Sequence, residues 1–381
     1  MRRRTREQAS PRASEPRSAA FFPHAPHGMK GRAGELATLA RTVDETAPAR
    51  LALVGSGGSG KSMLAAALGH ELARTRRFDG RIHWFRVGAW DFRTLVEMLA
   101  LRFGTSRERS KLVPELRAFL ARGQGERLVV LDNHEDDAAM ARLLDVLAET
   151  SATFVITARR CLLAGVLIFP VTAPLVTSGR SAFPRVARLT RPLRWNPLAL
   201  DVADAIVSRG SASVAELSTF LEAKGVGRVK VIEHEDDLPE VALLVDWAWQ
   251  RLSPESRRVL GVLSHVQGDH MDRESLATLA RVRQGDAIDR ALAALEAWHL
   301  VQEPMPARYA VHAVVRHAVV QRTKGAPARV FEHYVSLLEA HPERLVIEQT
   351  HLFAAMDHAH RQSDLASMLR IERLLEQLQM P

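Results

Sequence analysis

Eight consecutive residues, Gly55-Ser56-Gly57-Gly58-Ser59-Gly60-Lys61-Ser62, have the types and spacing to handle phosphate. In a G-x-x-x-x-G-K-[ST] segment the glycines let the backbone curl, so that successive N–H groups face an anion. A helix beginning at the end of the loop adds its dipole. Lys61 then reaches toward β- and γ-phosphates, and the Ser62 hydroxyl is offered to Mg²⁺. Downstream, Asp132 ends the apolar run Leu128-Val129-Val130-Leu131, where a second, water-mediated magnesium partner is expected. A vigorous hydrolase would place another acid directly after it. Asn133 stands there instead and cannot act as a base, while Glu135 and Asp136 are equally well read as a solvated acidic loop. Thr157-Ala158-Arg159-Arg160 closes another apolar run, and Arg159 is the preferred reader of a γ-phosphate, with Arg160 as the alternative.

These groups must be positioned by strands. Leu51–Val54 runs straight into the glycine loop, and Leu64, Leu68 and Leu72 follow at helical spacing. Further strands are expected at Arg81–Val87, Leu128–Leu131, Thr153–Thr157 and Val166–Val171. Between them lie helices marked by Phe92, Leu95, Val96, Leu99 and Phe103, by Leu112, Leu116 and Phe119, and around Ala139–Leu147. Unbroken apolar strands alternating with helices indicate a parallel sheet covered on both faces, with its ligand at the carboxyl ends of the strands. The glycine loop, Asp132 and Arg159 all fall there. The apolar run Leu162–Val171 is too short for a membrane span of ~20 residues and reads as a buried strand.

From about Arg180 the pattern turns helical. Asn196-Pro197 precedes an apolar helix over Leu198–Val207. Helices are then expected at Val241–Leu252, from Pro254 to Ser264, after Asp272, and over Asp286–Trp298. Leu300–Glu303 and Tyr309–His312, joined through Pro304-Met305-Pro306, form a β-hairpin. Three helices and a hairpin make a winged helix. Glu348–Arg361 and Asp364–Leu378 pair as one helical-repeat unit, which must dock on a neighbour to bury its face.

The 381 residues suffice for two or three domains, and 46% hydrophobic with 25% charged residues is ordinary globular composition. Cys161 is the single cysteine, so an intrachain disulfide and a four-cysteine zinc site are both excluded, and a reducing, cytoplasmic setting fits best. The net charge of +8 is concentrated at the start: residues 1–30 carry seven basic groups against two acidic ones. That stretch reads as a disordered basic tail rather than a nucleic-acid surface. Twin arginines near the start are followed by no apolar stretch, against an export signal. The sixteen histidines lack the Cys, Asp or Glu spacing of a metal site.

Taken in order, the motifs resemble the STAND class of P-loop NTPases, near the NB-ARC/AP-ATPase branch, whose bacterial relatives include ATPase cores of antibiotic regulatory proteins and large LuxR-type regulators. The resemblance spans Gly31 to Leu378. Gly31-Arg32-Ala33-Gly34-Glu35 is similar to the family's hhGRxxE start, and the glycine loop to Walker A. Leu128 through Asn133 is similar to Walker B, and Thr157-Ala158-Arg159 to sensor 1. Asn196-Pro197-Leu198-Ala199-Leu200 resembles the G-x-P segment with its Leu-Ala-Leu. Asp246-Trp247 through Leu263 resembles the start of the family's winged helix, and Tyr309-Ala310-Val311-His312 the MHD motif. The resemblance implies that Arg32 contacts the adenine side, Pro197 packs on the base, and His312 bonds the β-phosphate of ADP. Trp195 and Ala313 depart from the pattern, replacing a glycine and an acid.

The expected architecture is an α/β P-loop NTPase parallel sheet followed by an α-helical subdomain, a winged helix and a helical-repeat-like C-terminus. The expected divisions are a tail at 1–28, a nucleotide-binding domain at 29–178, a helical subdomain at 179–240, a winged helix at 241–323 and a TPR-like segment at 324–381. The resemblance implies a slow, nucleotide-controlled switch binding ATP/ADP with Mg²⁺, which self-associates when ATP-bound and acts through a protein partner or effector. Flipping a two-state equilibrium takes ~5.5 kcal/mol, and one hydrogen bond to a charged group supplies ~1.5–3 kcal/mol. His312 alone cannot run such a switch; a packed interface must change with it. A DNA-reading winged helix is disfavoured because Asp286–Trp298 carries three acids against one arginine. No further constellation supports a kinase or phosphotransfer enzyme, and no segment supports a membrane role.

Overall fold

The computed structural model describes residues 22–25, 31–46, 48–75, 77–105, 108, 110–121, 126–172, 183–224, 238–266, 270–320, 322–323 and 327–377. The first layered unit runs α1 (Ala33–Thr46), β1 (Arg50–Val54), α2 (Lys61–Leu72), β2 (Ile82–Arg86), α3 (Phe92–Phe103), α4 (Leu112–Ala121), β3 (Leu128–His134), α5 (Asp137–Val146), β4 (Thr153–Ala158) and β5 (Leu167–Pro170). Its strands form one parallel sheet in the order β2-β3-β4-β1-β5. One apolar cluster fills the face under α1 and α2, including Leu39, Leu64 and Leu68; another fills the face under α3, α4 and α5, including Leu99, Leu116 and Met140. Strands buried on both faces explain the unbroken apolar runs.

Three details differ from expectation. The last strand is not buried: β5 pairs only with β1 at the sheet edge, leaving Leu167 47% and Ile168 48% exposed. An apolar run reports hydrophobicity, not the number of neighbours its strand acquires. The expected 1–28 tail is also not featureless. Phe22 is buried, edge-on to His70 and Trp84, and the Pro23 carbonyl lies 2.6 Å from His70 Nε2. Finally, β3 does not stop at Asp132 but continues to His134 across a bulge.

The second half runs α6 (Pro197–Ser208), α7 (Val214–Ala223), α8 (Pro239–Trp249), α9 (Pro254–Ser264), β6 (Met271–Asp272), α10 (Arg273–Ala280), α11 (Asp286–Ala297), β7 (Gln302–Met305), β8 (Arg308–Ala310), α12 (Ala313–Val320), α13 (Pro327–Ala340), α14 (Leu345–Gln362) and α15 (Leu365–Gln377). Local chemistry starts these helices: Asn196, Ser253 and Asp272 cap α6, α9 and α10, with proline opening α6 and α9. The short strands form an antiparallel sheet in the order β6-β8-β7. Its hairpin turns one step later than expected, with Met305 inside β7 and Ala307 in the left-handed region. One continuous cluster from Phe183 to Tyr334 packs α6–α8 together with α9–α12.

The C-terminus is a three-helix arrangement, since α13 joins the two expected helices, and its apolar faces pack on Met98 and Leu101 of α3. Buried charge pins it to the small sheet. Arg308 bonds Glu348 at 2.5 Å and His270 at 2.7 Å, while Arg344 reaches Glu348 at 2.8 Å and Asp272 at 3.1 Å. Burial alone would raise the Glu348 carboxyl, but Arg308 and its neighbours hold it lowered. Replacing Phe22 by alanine is expected to cost about 3 kcal/mol, the size of a large buried aromatic. The readout is the urea midpoint of the parallel-sheet unit; an unchanged midpoint would show that the segment before α1 does not hold the sheet.

Candidate functional site

The strand–loop–helix unit sits at the carboxyl end of the parallel sheet. Gly55 leaves β1 with its N–H bonded to Ala158 O at 3.2 Å, and Gly60 takes up the cap of α2 with a left-handed φ of 91°. The loop is gripped from two sides. Asn196 Nδ2 donates to Gly57 O at 2.8 Å, while its Oδ1 caps α6 through Ala199 N. A Cβ at Gly58 would lie 2.8 Å from Asn196 Oδ1, and one at Gly57 would lie 3.0 Å from Val314 Cγ2. Gly58, which also has a left-handed φ of 71°, requires glycine, whereas a side chain at Gly57 would push Val314 back by a few tenths of an ångström. Pro197 is buried directly behind Asn196.

Arg32 is 1% exposed, and its guanidinium is committed to protein groups. It donates to Ser59 O at 2.6 Å, to Thr172 O at 2.7 Å and to Glu35 at 2.6 Å. This side chain fixes the loop from behind. Lys61 Nζ lies over the loop, donating to Gly55 O and Ser56 O, both at 2.8 Å. Burial lowers its pKa to about 8, against the pull of Asp132 and with a push from Arg159. Ser62 is exposed at the start of α2, and Ser59 Oγ is buried without a hydrogen-bond partner.

Asp132 is held by a neighbour that its own strand does not supply. Thr157 Oγ1 donates to Asp132 Oδ1 at 2.6 Å and accepts from Asn133 N at 2.8 Å. The β3–β4 register slips by one residue between Leu131 and His134, and Asn133 occupies the bulge with a φ of 60°. Its side chain donates to Glu135 at 2.6 Å, and Asp136 caps α5 through Ala138 N and Ala139 N. Both acids after Asp132 therefore have local structural partners. Arg159 follows β4, and Arg86 ends β2 opposite Asp132.

His312 comes to this place from the other half of the chain. Burial, followed by the charges of Lys61, Arg86, Arg159 and Arg316, pushes its pKa down to about 3. Val314 N donates to His312 Nδ1 at 3.2 Å, so the neutral ring carries its proton on Nε2. A donor and four cationic groups thus converge beside a loop whose N–H groups open a helix. The donor set suits a polyphosphate: glycine-lined backbone, an orphaned Ser59 hydroxyl, Lys61, and Ser62 with Asp132 for a hard divalent cation. Sequence reading placed Thr157 at these strand ends but not its bond to Asp132, and it missed Asn196, Arg86 and Arg316 as members of this cluster. Only the strand-end placement of Arg86 could have signalled one of the three.

No family model matches the chain, and no curated protein matches it. Among solved structures it is similar to the Aeropyrum pernix ORC1 protein in complex with DNA, at 15% identity, covering 78% of this chain and 94% of that one with a TM-score of 0.35. It is also similar to a Walker-type ATPase of Pyrococcus abyssi (16% identity, 78% and 98% covered, TM-score 0.30) and to Drosophila ORC bound to DNA (15%, 84% and 95%, TM-score 0.33). Among the described residues no helix is long and apolar enough to cross a membrane, and no cluster of three His, Cys, Asp or Glu could hold a metal.

The depressed Lys61 has a pH consequence. Its charged form persists below about 8 and is lost as pH rises through that value. Affinity for a phosphate-bearing ligand should therefore fall as pH rises through about 8, with proton uptake on binding there. His312, neutral well below this range, adds no second step. Calorimetry in buffers of differing ionisation enthalpy reads both quantities; a flat profile would contradict the assignment.

Proposed function

We propose that the chain is an ATP/ADP switch of the STAND type, binding nucleotide with Mg²⁺, hydrolysing it slowly and changing its domain arrangement or self-association with the nucleotide held. The glycine loop cradles the phosphates, Lys61 reaches the β- and γ-phosphates, and Ser62 with Asp132 holds Mg²⁺, which neutralises phosphate charge when bound. Arg159 reads the γ-phosphate and His312 the β-phosphate through its Nε2 proton. Arg32 and Asn196 position the loop, while Pro197 lies where the base would pack.

The observation that carries this reading is the contact of the second half of the chain with the loop itself. Val314 faces Gly57, and His312 stands among the cations of the sheet edge. A nucleotide bound there would touch both halves, so its phosphate count can bias how they pack. The bulged Asn133, bonded to Glu135, favours slow turnover, because no free acid follows Asp132 among the described residues. We read α9, α10 and α11 with the small sheet as a winged helix used as an intramolecular clamp, and α13–α15 as the start of a TPR-like region that meets a protein partner.

Denaturing the purified protein and identifying what it releases is the direct test. The expected result is ADP or ATP at close to one per chain, and its loss in Lys61→Ala. A nucleotide-free wild type whose shape and oligomeric state ignore added Mg·ADP and Mg·ATP would overturn the reading.

A further inference from the structure

Away from the glycine loop lies a groove of 760 Å³ into which six arginines converge: Arg209, Arg251, Arg258, Arg281, Arg283 and Arg290. They come from the end of α6, the end of α8, the first turns of α9, the α10–α11 connection and α11. All six are exposed. Glu255 is the one acid in the lining and pairs with Arg258 at 3.2 Å. Arg209 stacks over Trp298 at 5.1 Å and Arg251 over Trp247 at 4.2 Å. Among the described residues Arg281, Arg283 and Arg290 form no ion pair. The lining therefore carries five uncompensated positive charges. Nothing in the proposed switch uses them.

We infer that this groove is a second binding site, for a small, multiply phosphorylated ligand distinct from the nucleotide on the glycine loop. Three observations choose that class. The volume lies inside the ~300–1,000 Å³ range of small-molecule pockets, and the surface is concave where a duplex needs a ridge. Guanidinium forks match phosphate oxygens two at a time, so several arginines around one cavity select several phosphates rather than one. The outward face of α11 carries exposed Asp286, and Asp289 there is already paired with Arg273 at 2.6 Å, so that face adds no net positive charge to hold a nucleic-acid backbone laid along the helix. The pocket is also preformed. Its walls belong to helices that share one hydrophobic core, so little ordering is needed on binding.

The acidic balance of α11 by itself disfavours a DNA-reading helix. Counting a helix by itself misses the arginines that its neighbours bring to the same cavity. The sequence could not assemble them, because they lie on segments from residue 209 to residue 290.

The test is calorimetric titration of the full chain with inositol hexakisphosphate, in both wild type and Lys61→Ala so that the glycine loop does not contribute. Equal one-to-one binding in these two proteins is expected, weakened roughly tenfold or more in Arg283→Glu/Arg290→Glu. The milder Arg283→Ala/Arg290→Ala pair should weaken it in the same direction, and both variants should keep the wild-type melting transition. Unchanged affinity in the folded double variants would overturn the proposal. So would loss of binding in Lys61→Ala, or tighter binding of a short DNA duplex or of polyglutamate than of the polyphosphate.

Discussion

Side chains from three other segments hold the glycine loop. Asn196 holds Gly57 by its carbonyl and crowds Gly58, Val314 presses on Gly57 from α12, and Arg32 fastens Ser59 from behind. A loop that must expose its N–H groups to an anion is thus shaped by three distant segments at once. Any change in the loop's backbone is felt by α6 and α12, and any displacement of those helices is felt by the loop. Close-packed interfaces of this kind are exchanged in discrete steps rather than deformed gradually.

The rest of the molecule makes those steps large. Helices α6–α8 share a core with α9–α12, so Val314 and Asn196 belong to one packed body. The Arg308–Glu348–Arg344 network ties the small sheet of that body to α14, and the three C-terminal helices in turn lie on α3 of the parallel-sheet unit. A buried ion network is weak evidence for stability but costs several kcal/mol to break on one side. Separation of the two halves in the proposed switch would therefore have to open the loop contact and the α3 contact together. In that proposal the interface would supply what one histidine-to-phosphate bond lacks.

The parallel-sheet unit was legible because its signals are local: apolar runs for strands, leucine periodicity for α2–α4, and a loop motif whose spacing is its chemistry. Cap residues placed α9 and α10 well for the same reason. The α7 helix was missed although Ser213 and Glu216 form a capping box at its start, because a short amphipathic stretch without a strong apolar run gives little else to read. Exposure of β5, the bulge at Asn133, burial of Phe22 and the docking of α13–α15 on α3 are tertiary outcomes. Each depends on which surface arrives from elsewhere in the chain. The site divides the same way: Lys61, Ser62 and Asp132 are named by motif and Thr157 by its strand end, whereas Asn196, Arg86 and Arg316 join only when strands and modules meet.

In the proposed switch the bound nucleotide decides whether α12 stays on the loop. Hydrogen–deuterium exchange over Gly55–Lys61 and Val311–Val320, with Mg·ADP and then with a non-hydrolysable Mg·ATP analogue, measures this contact directly. The account predicts strong protection of both segments with ADP and their concerted loss of protection with the ATP analogue. Identical exchange in the two nucleotide states, with both nucleotides bound, would contradict it.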